Sequence, residues 1–153
     1  MATEIALSHA RGADGTRSGR VELTRVYHFS AAHRLANPAL SLDDNAALYG
    51  ACHRPHGHNY YIEVTVAGIP DRHTGMALDL GRLDEIVNSA VVDRVDHQSL
   101  EEVPALAGVI TTGESLARAF WRLIDRELPA GTLARIAVVE TAKNRFEYRG
   151  EDG

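Results

Sequence analysis

The segment from His56 to Ala67 places the tightest constraint on how this chain can fold. Tyr60, Ile62, Val64 and Val66 fall on alternate positions, and Asn59, Tyr61, Glu63 and Thr65 stand between them. A period of two is the signature of a strand with one face against a core. His56 and His58 are in phase with the apolar set. Two imidazoles therefore stand on the face that must be covered, and any fold has to accommodate them. Val21 to His33 reads as a second such strand, with Val21, Leu23, Tyr27, Phe29 and His33 in phase. Its last in-phase residue is again a histidine.

The rest of the chain supplies the cover. Residues 80–95 carry Leu83, Ile86, Val87, Ala90 and Val91 at helical spacing behind Asp79 as N-cap. A second helix spans about 112–128, with Leu116, Ala119, Phe120, Leu123 and Ile124 inward. Thr111-Thr112-Gly113-Glu114 has the spacing of a capping box, and Pro129 and Gly131 end the helix. Two more strands are expected at 133–140, where Ala134, Ile136, Val138 and Glu140 share a face, and at 145–149. Pro38 and Asp43-Asp44-Asn45 mark Asn37 to Tyr49 as a loop or a short helical turn. The order β-β-α-α-β-β implies an α+β fold, a four-stranded antiparallel sheet with two helices on one face. Residues 1–20 show no apolar period and read as a flexible leader before a single domain over 21–153.

Composition narrows the function. The 153 residues include 16 basic and 21 acidic side chains, a net charge of -5, which argues against a dedicated nucleic-acid binder. A local arginine cluster can still hold an anionic small molecule. Cys52 is the single cysteine, so no intrachain disulfide can form, and a reducing, cytoplasmic location is expected. No apolar run approaches the roughly 20 residues of a membrane span. The N-terminus lacks the apolar stretch of a secretory signal. Gly-x-Gly-x-x-Gly, P-loop and Gly-x-Ser-x-Gly patterns are missing, and one cysteine cannot supply the Cys-x-x-Cys of zinc deaminases.

Three of the eight histidines form a pattern. If the two strands pair antiparallel, His33, His56 and His58 converge; they are either three ordinary polar residues near loops or, as three neutral imidazoles with an open fourth position, a catalytic zinc site, the reading that His-x-His on an apolar strand face favours. His9 and His73 lie in expected loops, His28 faces away from His33, and His53 is ambiguous beside Cys52. Cys52, four residues before His56, is either a small buried hydrophobe or a thiolate activated by nearby zinc. As a thiolate it could be a fourth ligand, a nucleophile or a general base. Asp96-His97 reads either as helix-end electrostatics or as a proton relay, although adjacent residues on extended chain point apart. Glu140 falls on an apolar strand face, where a carboxylate needs an arginine or a ligand with paired N–H donors. Asp79 and Glu114 are explained as caps.

Phe29-Ser30-Ala31-Ala32-His33-Arg34-Leu35 followed by Cys52-x-x-x-His56-Gly57-His58-Asn59-Tyr60 resembles the 6-pyruvoyl-tetrahydropterin synthase / 6-carboxy-tetrahydropterin synthase family. Gly75-Met76, Asp96-His97, Glu140-Thr141 and Tyr148-Arg149-Gly150 continue the resemblance over about 21–151. It implies the tunnelling fold, in which subunits join edge strands into a trimeric barrel and two trimers stack as a hexamer. Active sites then lie at subunit interfaces. It implies zinc on His33, His56 and His58, Cys52 as the catalytic thiol and Asp96 with His97 completing the relay. Glu140 would anchor the pterin ring, and Thr112 and Glu114 lie in the stretch that helps line its pocket. Lys143, Arg145 and Arg34 are cations available to a triphosphate, although ordinary surface cations are the simpler reading.

The implied substrate is 7,8-dihydroneopterin triphosphate, which loses triphosphate. One outcome keeps the side chain and gives 6-pyruvoyl-tetrahydropterin. The other releases acetaldehyde and leaves 6-carboxy-5,6,7,8-tetrahydropterin, on the route to queuosine. The short Cys52-to-His56 spacing resembles the carboxy-type enzymes, and that product is the main expectation. Leu40 to Gly50, Val103-Pro104, Val109 to Thr112 and Leu128 to Gly131 look more like the pyruvoyl type, the alternative. A side-chain-cleaving paralogue usually carries Glu where Cys52 stands. A non-catalytic pterin or purine binder would need no thiol, relay and metal ligands together. Glu101 stands where the family often has Asn, and Thr111-Thr112-Gly113 where it often has Pro-Thr.

Overall fold

β1 (Val21–His33) and β2 (His56–Gly68) pair antiparallel over their full length, from Val21 opposite Gly68 to His33 opposite His56. The structure, a computed structural model, describes residues 19–151. The expected leader lies outside those residues except for Gly19 and Arg20. β4 (Leu133–Thr141) joins the far side of β2, and β5 (Asn144–Tyr148) joins β4, both antiparallel. These are the four expected strands. The sheet has one more, the two-residue β3 (Gln98–Ser99), parallel to β1 at its outer edge. The order is β3-β1-β2-β4-β5. A pairing this short has no periodicity of its own, so no sequence pattern announces it.

α2 (Leu80–Val87) starts as expected, with the Asp79 carboxylate accepting from the Gly81 and Arg82 amides. It continues through a π turn at Asn88–Val92 into α3 (Asp93–Val95). α4 (Gly113–Asp125) packs on β4 and β5. Its N-cap is Thr112, whose hydroxyl accepts from Ser115 N–H at 3.2 Å. Glu114 is therefore the second helical residue rather than the third, and the expected capping box does not form. Gly113 lies so close to β5 that an added Cβ would sit 2.0 Å from the Phe146 ring. Glycine lets α4 approach the sheet at that point.

One sheet face and the helices make one core. Phe29, Tyr60, Ile62, Val64, Ile136 and Val138 meet Leu83, Val87, Val91, Leu116, Phe120 and Ile124, all fully buried. Phe29 stacks on Tyr60 at 4.7 Å and meets Phe120 edge-on at 5.9 Å. Such pairs add about 0.5–1.5 kcal/mol beyond their buried area. Two in-phase expectations fail. Val21 and Leu23 stay exposed, because the core reaches along β1 only to Tyr27. Leu133, not Ala134, enters the core, because the register shifts between Thr65 and Val66 and skips Ala134.

The short helix α1 (Leu42–Tyr49) fills part of the stretch read as a loop or helical turn. Ser41 caps it, and Asp43 and Asp44 sit in its first turn, where the helix dipole favours them. Buried Asn45 accepts from Asn37 N–H and donates to the Asn37 carbonyl, holding the loop from β1. α1 runs into a 3₁₀ turn at Gly50–His53 that carries Cys52. No helix among the described residues is long and apolar enough to cross a membrane.

Candidate functional site

The β1–β2 register builds the histidine cluster. His33 is directly opposite His56, and His58 is opposite Ala31, so all three side chains leave the sheet on its helix-covered face. Their donor atoms all lie within 4.8 Å of one another, and the ring centroids are 4.5–5.0 Å apart. Gly57, between the two β2 histidines, lies against β1; a Cβ there would stand 3.1 Å from the Ala31 carbonyl oxygen.

The donor set fits a metal ion. His33 is 2% exposed. Its Nδ1 stands 3.1 Å from the Thr111 carbonyl oxygen and so carries the proton it donates there. Nε2 is left as the acceptor nitrogen, buried and without a hydrogen-bond partner. His56 Nδ1 donates to the Arg54 carbonyl at 2.7 Å, which likewise leaves Nε2 free to ligate. Burial, then the neighbouring His56 and His58, lower the His33 pKa against the pull of Thr111 and Glu140. Burial also lowers that of His58, opposed by Glu140. Both effects favour neutral imidazoles, the form that binds a metal. An orphaned nitrogen in such a cluster is costly without a ligand and satisfied with one.

Glu140 closes one side of the cluster. Its Oε1 is 3.6 Å from His58 Nε2 and 3.8 Å from His33 Nε2, and its side chain is 15% exposed. It lies at the register irregularity between β4 and β5, where the strand can re-aim a side chain. The partner expected of it is not an arginine, since no ion pair among the described residues joins it to one. Tyr60 lies beneath, its ring 5.4 Å from His58 and 6.0 Å from His33. Burial, then Glu140 and Glu101, push its phenol pKa up, so it stays protonated.

Cys52 is exposed, and its carbonyl accepts from Leu35 N–H at 2.8 Å, which ties the 3₁₀ turn to the chain just past His33. His53 joins the same tie through Nδ1 to the Leu35 carbonyl at 3.0 Å, and its Nε2 is 3.1 Å from Arg34 Nη2. His28 is exposed on the open sheet face, as its phase predicts, and His73 lies in an exposed turn. His9 falls outside the described residues.

Asp96 and His97 form a pair after all: Asp96 Oδ1 is 3.0 Å from His97 Nδ1. Extended neighbours would point apart, but His97 has φ 59°, in the left-handed region. That backbone costs of order 1–3 kcal/mol and is held from outside. His97 N–H donates to the Ser30 carbonyl at 2.6 Å, and Ser30 N–H donates to Asp96 Oδ1 at 2.9 Å. The Ser30 amide and then His97 hold the Asp96 carboxyl below its usual range. The His97 side chain is 81% exposed. Among the described residues no hydrogen bond joins this pair to Cys52.

Thr112 serves as the α4 cap, and Glu114 is exposed on its first turn. The residue of that loop that touches the cluster is Thr111, 1% exposed. It was missed as a site residue because a threonine before a helix reads first as a capping signal. Arg145 is engaged by Glu63 at 2.6 Å and by Glu147.

The model of the 6-pyruvoyl tetrahydropterin synthase family matches residues 22–151. The chain belongs to that family. It is 39% identical over 140 residues to the human 6-pyruvoyl tetrahydrobiopterin synthase, covering 90% of this chain and 97% of that one. The solved Caenorhabditis elegans 6-pyruvoyl tetrahydropterin synthase superposes with a TM-score of 0.81 at 34% identity, covering 86% of this chain and 96% of that one. The 6-carboxy-5,6,7,8-tetrahydropterin synthase of Aquifex aeolicus is 28% identical over 159 residues, covering 85% and 98%. Likeness along most of the chain thus favours the pyruvoyl type, against the carboxy type expected from the Cys52-to-His56 spacing.

Proposed function

We propose that this protein acts as a zinc-dependent 6-pyruvoyl-tetrahydropterin synthase on 7,8-dihydroneopterin triphosphate, with loss of triphosphate. The observation that carries the reading is the cluster of buried His33 with half-buried His56 and His58, with His33 Nε2 unpartnered and Glu140 at its side. The 39% identity to a 6-pyruvoyl tetrahydrobiopterin synthase supports the choice of product.

The three histidines would hold the ion, which when bound supplies Lewis-acid polarisation of the substrate's side-chain oxygens. Glu140 accepts from the 2-amino and ring N–H groups of the pterin and so fixes the ring relative to the reacting side chain. Cys52, as thiolate, removes a carbon-bound proton. His97, oriented by Asp96 through Nδ1, moves protons to and from oxygen. Its exposed ring and the missing bond to Cys52 support a relay completed between neighbouring subunits. β5 and β3 lie at the sheet edges, and joining edges into a trimeric barrel, paired as a hexamer, would satisfy them.

A second reading, the 6-carboxy product with release of acetaldehyde, rests on the three residues between Cys52 and His56. The deciding experiment is mass spectrometry of the products made from 7,8-dihydroneopterin triphosphate by the zinc-loaded protein. The expected product is 6-pyruvoyl-tetrahydropterin. A 6-carboxy product with acetaldehyde would replace this reading by the second, and bound pterin without turnover would make the protein a binder.

A further inference from the structure

A chain of hydrogen bonds runs outward from the His33 ring and ends on a carboxylate. The Thr111 hydroxyl oxygen lies 3.2 Å from His33 Nδ1, beside the Thr111 carbonyl at 3.1 Å. The same hydroxyl donates its own proton to Glu101 Oε1 at 2.8 Å. Glu101 Oε1 also accepts from Arg34 N–H at 3.0 Å, and its Oε2 is 3.3 Å from the Ser99 hydroxyl. One side chain thus gathers three segments that meet around His33: the end of β1, the end of β3 and the loop before α4.

We infer that Glu101 is a positioning residue for the metal centre, acting on His33 through the Thr111 hydroxyl. The inference rests on the metal-binding reading of the three histidines. Its chemistry is general: a carboxylate behind a ligating histidine fixes the tautomer and the ring orientation and raises ligand basicity. Here a hydroxyl stands between the two. The Thr111 hydroxyl spends its one proton on Glu101 Oε1, so that proton points away from His33. The hydroxyl's lone pairs then face His33 Nδ1–H, which keeps Nε2 as the ligating atom. Arg34 N–H on the same oxygen fixes that carboxylate against the residue that follows His33 in sequence. Glu101 lies in a 3₁₀ turn at Leu100–Glu102 and does not itself reach the cluster.

The test is cobalt(II) binding to the full chain, read by chelator competition and by the visible absorption of the bound ion, with thermal unfolding of the metal-free protein alongside. Wild type should bind the ion, and His33→Ala should lose it. Glu101→Ala should bind about 10- to 100-fold more weakly, the range for a lost outer partner of a metal ligand, with a shifted visible spectrum. Glu101→Gln keeps an acceptor oxygen and should recover most of that loss, which a mere folding defect would not allow. Thr111→Val should weaken binding too. The Glu101→Ala/Thr111→Val double variant should be no weaker than the weaker single one, because both act through one hydroxyl. Wild-type affinity and spectrum in Glu101→Ala, or additive losses in the double variant, would overturn the inference and leave the metal reading standing. A wild type that binds no cobalt would overturn both.

Discussion

At the residue scale, the proposed metal site turns on which atom of each side chain is left over. His33 has one nitrogen tied to Thr111 and the other bare, and His56 is arranged the same way through Arg54. Cys52 is the contrasting case, an exposed thiol on a turn pinned by its own backbone. Its side chain is no part of the cluster of donor atoms, so its proposed work is proton transfer and not ligation. Cys52→Ala should therefore keep one zinc per chain by elemental analysis while turnover falls about 10²- to 10⁴-fold, the usual reach of general acid–base catalysis. Loss of zinc together with activity would make the thiol a ligand. The histidines were legible from phase alone, since a period of two leaves no doubt about which face each occupies. Thr111 was not, because it meets a ring 78 residues away in the chain, and neither was Glu101, which is linked to that ring only through Thr111.

At the element scale, α2 is clamped to the sheet by polar contacts as well as by the core. Arg25 on β1 donates to Asp84 on α2 through Nε at 2.6 Å and Nη2 at 2.8 Å, and the Tyr27 hydroxyl donates to the same carboxylate at 2.8 Å. The Arg25 hydrogen bond, then that of Tyr27, holds the Asp84 carboxyl below its usual range. A carboxylate whose folded pKa is depressed stabilises the fold above its unfolded pKa, about 3.9 for aspartate. That contribution fades as the pH falls from there through the lower folded value. Urea unfolding at pH 7 should find Asp84→Asn less stable than wild type, and the gap should close toward pH 2. A gap that stays constant with pH would mean that the carboxylate's charge does no stabilising there. The helical stripes of α2 and α4 were readable because every third or fourth residue had to face the core. The α4 cap was misplaced by one residue, since Thr111 and Thr112 are equivalent until the structure turns one of them toward His33.

At the scale of the whole molecule, the residues of the proposed relay stand apart. Cys52 sits on the turn after α1 and Asp96-His97 on the turn before β3, with no hydrogen bond between them. If neighbouring subunits complete each other's sites, Cys52→Ala and His97→Ala should each show only residual turnover alone. Mixed after reversible dissociation, they should regain a measurable fraction of wild-type turnover, because some interfaces then pair an intact thiol with an intact relay. A mixture that stays at the residual level, with mixed oligomers demonstrated by native mass spectrometry, would put the relay within one chain. Local order of residues determined much of this protein by itself: two strands with histidines on their buried face, two amphipathic helices and an α+β arrangement. Periodicity is a property of a few neighbouring residues, so it survives without knowledge of the rest. The tertiary structure decided what depends on pairing between distant segments. It set His33 opposite His56, skipped Ala134 and added β3. It also bent His97 into a left-handed turn against Ser30 and put Glu101 behind Thr111. Each of those is a choice among hydrogen-bond partners far apart in the chain, and only the assembled sheet makes the choice.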